Sequence, residues 1–279
     1  MSSIVVKRTT ARRATWALGL AGVVGIAWIG DTAVASNVER TISDSVYETY
    51  APQAGHELAT PPSVYVGGIP YMQALRSAQV PVVGVSALDV DVDGVGMVNT
   101  GVTLQGVSAE PNQVWSGDFV GAKAQSMRRT LRLDGVAMGA WLGMKDLTIT
   151  HPENISPGGG TATEAVFQGR PPGFHEQVSV LATLRLVGDE FQLRPKEIVS
   201  SSVHPDDADD DALAAFDLTV DTTTLPLDRP ADAVYLEGGS IVFEAVRNNV
   251  IVQPEYLTPV GSTPTVGTPA VGTPAVGTG

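Results

Sequence analysis

The sequence predicts an α+β fold built mostly from antiparallel sheet. Three observations carry this. From Val82 onward apolar residues recur with period two, as in Leu88, Val90 and Val92 against Asp89, Asp91 and Asp93. The chain holds 30 Gly and 19 Pro among 279 residues, so turns are frequent and long helices few. Strands do not alternate with crossover helices, which argues against a doubly wound sheet.

The elements follow in order. A helix is expected from Asn37 to about Ala51, because Val38, Ile42, Val46 and Tyr50 recur at i+4 and Pro52 stops it. A short strand follows at Ser63 to Val66. Gly67-Gly68-Ile69-Pro70 turns into a short helix, Tyr71 to Ala78, with Tyr71, Met72 and Leu75 as its apolar side. Val102 and Leu104 alternate with Thr103 and Gln105. Asp134 can cap a helix whose apolar positions are Ala137, Ala140, Trp141 and Met144. Val178, Val180, Ala182, Leu184 and Leu186 form one face of a strand, and Phe216, Leu218 and Val220 of another. Gly238-Gly239 joins the runs around Val234-Leu236 and Ile241-Phe243 as a hairpin.

Both ends differ in composition from this middle. Lys7, Arg8, Arg12 and Arg13 precede an uncharged run from Ala14 to Ile29, then Asp31 and Ala33-Val34-Ala35. A basic flank, an apolar stretch and small residues at the end are the layout of a signal peptide, residues 1–35, either cleaved after Ala35 or kept as an anchor. Both readings place the remainder outside the cytoplasmic membrane. Residues 259–279 approach a Val-Gly-Thr-Pro-Ala repeat, without charge or aromatic side chains, and are expected to be disordered. One domain, residues 36–258, lies between them.

Composition excludes several function classes. The formal net charge is −13, and after removal of residues 1–35 it is −16, from 13 basic and 29 acidic side chains. A general nucleic-acid binder needs a basic surface instead. With no cysteine there is no disulfide, thiolate metal site or cysteine nucleophile. Asp89-Val90-Asp91-Val92-Asp93-Gly94 matches half of a calcium loop, but Thr100 stands where its terminal glutamate belongs. Asp206, Asp207, Asp209, Asp210 and Asp211 read as a solvated acidic loop. His56, His151, His175 and His204 lack ligand spacing, and no nucleophile, zinc or phosphate-loop motif is present. The expectation is a protein that is not an enzyme and carries no catalytic residues, metal or cofactor.

One cluster opposes the acidic background: Lys123, Arg128, Arg129 and Arg132, within ten residues and without an acid. Guanidinium forks suit phosphate oxygens, so these four are the candidate contacts to an anionic lipid headgroup. Pairing with neighbouring acids, such as Asp89, Asp91 and Asp93, is the competing role. On a strand, Met127, Arg129, Leu131 and Leu133 would share one face, and Arg128, Thr130 and Arg132 the other. Candidate groove residues are Tyr71, Met72, Leu75, Trp115, Met138 and Trp141, since adaptable Met and bulky aromatics line lipid grooves as well as ordinary cores.

The stretch Val66-Gly67-Gly68-Ile69-Pro70-Tyr71-Met72-Gln73-Ala74-Leu75, then Leu88-Asp89-Val90-Asp91-Val92 and Gly101-Val102-Thr103-Leu104-Gln105-Gly106-Val107, resembles the actinobacterial LmeA-type phospholipid-binding family. The resemblance spans residues 36–258. It implies a tubular lipid-binding (TULIP-like) fold, in which a curved, mostly antiparallel sheet wraps a helix and leaves an apolar groove. It also implies binding of anionic phospholipid at a membrane surface, and a role in lipid handling or in lipomannan and lipoarabinomannan maturation in the cell envelope. Tyr71 stands where the family motif has Phe, and Arg76-Ser77-Ala78 departs from its small-residue end. The alternatives are an envelope enzyme using carboxylates such as Asp118 or Glu164, and a structural wall module.

Overall fold

The computed structural model describes residues 30–48, 60–68, 70–152, 160–201 and 209–260. The apolar run, Tyr50 and Ala51, His56, His204, Asp206 and Asp207, and the repeat from residue 261 lie outside them.

Helix α1 covers residues 30–48. Val38, Ile42 and Val46 are its buried stripe, as the i+4 spacing predicts. The described part of the helix already includes residue 30, seven positions before Asn37, the predicted start. Strand β1 (Ser63–Gly67), helix α2 (Gln73–Ser77), and strands β2 (Gln79–Val92) and β3 (Gly96–Ser108) follow. Then come α3 (Pro111–Ser116), β4 (Lys123–Leu133) and α4 (Gly135–Leu142). Strands β5 (Thr148–Thr150), β6 (Ala162–Gly169), β7 (Val178–Val187) and β8 (Glu190–Ser201) lead to helix α5 (Asp209–Ala214) and β9 (Leu218–Asp221). Strands β10 (Ala233–Glu237) and β11 (Ser240–Ile251) precede a 3-10 turn at Pro254–Tyr256.

Two sheets result, with orders β1-β2-β3-β4-β11-β10 and β5-β6-β7-β8-β9, and every pairing is antiparallel. The α+β class therefore holds. The strands of the first sheet are long enough to serve two cores. One half of its inner face, with Val83, Val85, Val102, Leu104 and Met127, packs against α1, α2 and α3. The other half, with Val90, Val98, Leu131, Leu133 and Phe243, packs against the second sheet and α4. Phe191 of β8 meets Phe243 of β11 edge to face at 4.9 Å, joining the sheets.

Several local readings hold and others shift by one residue. All five predicted apolar positions of β7 are buried. Gly238 and Gly239 both take positive φ, the backbone a tight two-residue hairpin requires. The Asp134 side chain accepts from the Val136 and Ala137 N–H groups and caps α4. In α4, however, Met138 and Gly139 face the core and Ala140 faces solvent. A bulge between Ala87 and Val90 turns both Leu88 and Asp89 outward, so Leu88 is 61% exposed and not on the apolar face with Val90 and Val92. Asp209, Asp210 and Asp211 begin α5 instead of lying in a loop. Pro259 and Val260 are buried, so ordered packing reaches residue 260.

Candidate lipid-binding site

The α1 half of the molecule carries an open cleft of about 120 Å³. Thr41, Ile42, Ser45 and Val46 form the helical wall, Ser116 to Asp118 and Val120 one flank, and Pro254, Leu257 and Thr258 the other. Its floor is apolar and its rim carries hydroxyls, the lining expected of a site for a mostly apolar ligand. Gly117 takes φ +78, and a Cβ there would lie 3.0 Å from a Val38 methyl, so a glycine is needed for the loop to close against α1.

Arg129 fixes one wall of this cleft. It is 1% exposed and forms a buried ion pair with Asp228. Its terminal nitrogens donate to the carbonyls of Thr258 (2.7 Å) and Glu255 (2.8 Å), which belong to the flank containing Leu257. Burial pushes its pKa down, and the adjacent Asp228 carboxylate opposes that shift. A guanidinium held in this way is out of reach of a lipid phosphate.

The remaining basic candidates separate. As the alternation predicts, Arg128 and Arg132 share the outer face of β4, opposite the cleft. Their partners are not Asp89, Asp91 and Asp93. Arg128 pairs with Glu244 of β11 at 3.3 Å and Arg132 with Glu237 of β10 at 2.7 Å, because β11 and then β10, not β2, follow β4 on that side of the sheet. Tyr235, whose hydroxyl donates to Glu244, joins this network, and burial together with the Glu244 and Glu237 charges raises its pKa. A shallow recess of about 290 Å³, walled by Arg132, Thr130, Tyr235, Asn99 and Leu88, adjoins it. Lys123 begins β4 at the other end, three residues beyond the cleft residue Val120. It is exposed and has no acidic group within 4.0 Å among the described residues.

The apolar candidates also divide. Tyr71 is buried at 1% exposure, and its hydroxyl donates to the Val114 carbonyl at 2.7 Å. Burial, then the Glu39 charge, pushes its pKa up to about 12. Leu75 packs at the edge of the same core. Met72 (41% exposed) and Trp115 (59%) are on the surface beside it. Met138 is fully buried in the other core, with Trp141 against it. These six residues thus do not line one groove. The cleft residues Ile42, Val46 and Leu257 carry no signal that distinguishes them from core in the sequence.

Asp118 lies on the cleft rim, where its carboxylate accepts from the Val120 N–H, whereas Glu164 pairs with Lys196 on the second sheet. They do not face each other across one site. No group of three potential ligands capable of holding a metal occurs among the described residues. Likewise, no helix among them is long and apolar enough to cross a membrane.

Neither the characterised proteins nor the solved structures contain a match to this chain. Residues 29–246, which include α1, most of both cores and two of the three sides of the cleft, match the family described as LmeA-like phospholipid-binding, and the chain belongs to that family.

Proposed function

We propose that this protein binds a phospholipid outside the cytoplasmic membrane and holds an acyl chain in the cleft between α1 and the 254–258 segment. The supporting observation is the apolar cleft itself, on a chain whose family binds phospholipid. The Ile42, Val46, Val120 and Leu257 side chains would shelter methylenes from water, each worth about 0.8 kcal/mol when fully buried. Lys123 is the cation offered to an anionic phosphate, since Arg128 and Arg132 must first leave their glutamates and Arg129 is enclosed. The cleft along α1 then corresponds to the groove of the tubular lipid-binding fold, and lipid handling during lipoglycan maturation is the cellular role.

Native mass spectrometry of mildly extracted protein tests the cleft. The wild type is expected to carry phospholipid. Thr41→Trp, which places a bulky ring on an exposed helical position at the cleft mouth, is expected to lose most of it while keeping its melting temperature. Absence of lipid from the wild type would overturn the proposal. Lys123→Ala is expected to reduce preference for phosphatidylglycerol over phosphatidylcholine vesicles by about fivefold, equivalent to roughly 1 kcal/mol per basic residue near an anionic surface. Arg128→Ala with Arg132→Ala is expected to change that preference less.

A further inference from the structure

The start of α1 is built into the domain. Asp31 is 7% exposed, and its two carboxylate oxygens accept from the Tyr71 N–H at 2.8 Å and the Met72 N–H at 2.6 Å. These are backbone donors at the turn that opens α2, satisfied here by a residue 40 positions earlier. Val34 and Ala35 pack against the α1 core, and the helix runs without interruption through Ala35 into the buried stripe Val38, Ile42 and Val46. Cleavage after Ala35 would cut inside a helix, remove the Asp31 carboxylate from the Tyr71 and Met72 N–H donors and strip two partly buried apolar side chains from the edge of the core. The folded domain therefore includes residues 30–35.

This bears directly on the uncharged run from Ala14 to Ile29. Only Gly30 separates Ile29 from Asp31, and two successive Cα–Cα steps span at most about 7 Å even when fully extended. Asp31 touches the backbone of Met72, so any bilayer that holds the run must lie against the α2 end of the domain. That end is exposed and apolar where it matters. Met72 follows Tyr71, Trp115 follows Val114, and the Tyr71 hydroxyl bonds the Val114 carbonyl, so Met72 and Trp115 flank one hydrogen bond. Ile251, 57% exposed, pairs in register with Lys123 at the same end of the sheet. Trp, Met and Ile partition into the membrane interface, and the nearby Arg76 and Lys123 can reach lipid phosphates from there. The charges of Glu110 and Asp118 stand at this end too, so the apolar side chains and the short tether, not net charge, hold the domain down.

We infer that the apolar run is retained as a membrane anchor and that the domain sits end-on on the bilayer, with Met72 and Trp115 in the interface. The cleft mouth beside Val120 and Ser116 then opens close to the lipid surface. The inference needs no bound cargo, so it stands or falls separately from lipid capture.

The absence of cysteine makes the test clean. The full chain, reconstituted in phosphatidylcholine–phosphatidylglycerol vesicles, is labelled with an environment-sensitive fluorophore at Met72→Cys and, separately, at Val136→Cys on α4, at the opposite end of the sheet. The Met72 label is expected to shift to the blue and to be quenched by acyl-chain quenchers, and the Val136 label to remain aqueous. Intact-mass measurement of membrane-extracted protein is expected to show residues 14–29 still attached. A mature N-terminus beyond Ile29, or a Met72 label as aqueous as the Val136 label, would overturn the inference. Native mass spectrometry of lipid cargo on the same sample reports on the cleft independently.

Discussion

Tyr71 illustrates what a single residue contributes here. Its ring fills the core between α1, α2 and α3, and its hydroxyl bonds a carbonyl of α3. Its pKa rises from 10.0 to about 12 because burial disfavours the phenolate. The folded state therefore keeps this proton between pH 10 and 12, where the unfolded chain has released it. That contribution is complete below pH 10 and is lost as pH climbs through 12. Tyr71→Phe is expected to lower the melting temperature at neutral pH, by the roughly 1–3 kcal/mol of an orphaned buried carbonyl. It should also flatten the decline above pH 10. Thermal melts of both proteins from pH 8 to 11.5 check this, and parallel declines would refute it. The same residue shows the limit of reading the sequence. The family motif around Tyr71 is legible, but whether it faces lipid or core depends on Val114 and Asp31, 43 and 40 positions away.

At the scale of elements, what was legible followed local periodicity. The α1 stripe, the β7 face, the Asp134 cap and the Gly238-Gly239 hairpin are each specified by residues within one or two turns of chain. What escaped depends on irregularity or on partners distant in sequence. The bulge at Ala87–Val90 is invisible in an alternating run, because Leu88 looks like any inward residue. In α4 the periodic face fails only at Ala140, for a similar reason: Met138 and Gly139 turn inward beside Ala137 because the chain returns over the helix at Met144 and Leu147. A Cβ on Gly139 would lie 2.3 Å from the Met144 carbonyl oxygen, and one on Gly135 2.1 Å from that of Leu147. Gly139→Ala must push the 144–147 loop off the helix. It is expected to cost on the order of 1–3 kcal/mol, as overpacking does, despite alanine's better helix propensity. Urea denaturation measures this, and an unchanged midpoint would show that the loop yields freely.

For the molecule as a whole, one sheet connects two cores, and the closing segment beyond β11 completes both. Leu257 packs in the α1 core and Val260 in the other. Arg129 ties this segment to the middle of the sheet. Arg129→Met removes the buried counter-charge of Asp228 and both clamps on the 254–258 carbonyls. A loss of about 3–5 kcal/mol is expected from breaking a buried ion pair on one side. Lipid retention should fall further than stability alone explains, because the cleft loses its fixed wall. Comparing retained phospholipid with the fraction folded at one temperature separates these effects. If retention merely tracks the folded fraction, the wall does not need the clamp. The cluster of four basic residues was readable as a pattern, and its split into one enclosed, two paired and one open cation was not. That split is decided by which strand lies beside β4.

Helix α1 also lies over the free edge of the first sheet. Among the described residues strand β1 has a neighbour on one side only, and on the other the Glu39 carboxylate accepts from the Val66 N–H at 3.0 Å, while the Ser43 hydroxyl donates to the Pro62 carbonyl at 2.7 Å. Backbone groups on an open edge are a template for another chain. Here two side chains of one helix occupy such groups, so the helix that forms the cleft wall also shields the sheet from self-association. Displacing α1 would bare the β1 edge to strand addition by a second copy. The seating of α1 therefore guards the sheet edge as well as forming one wall of the cleft.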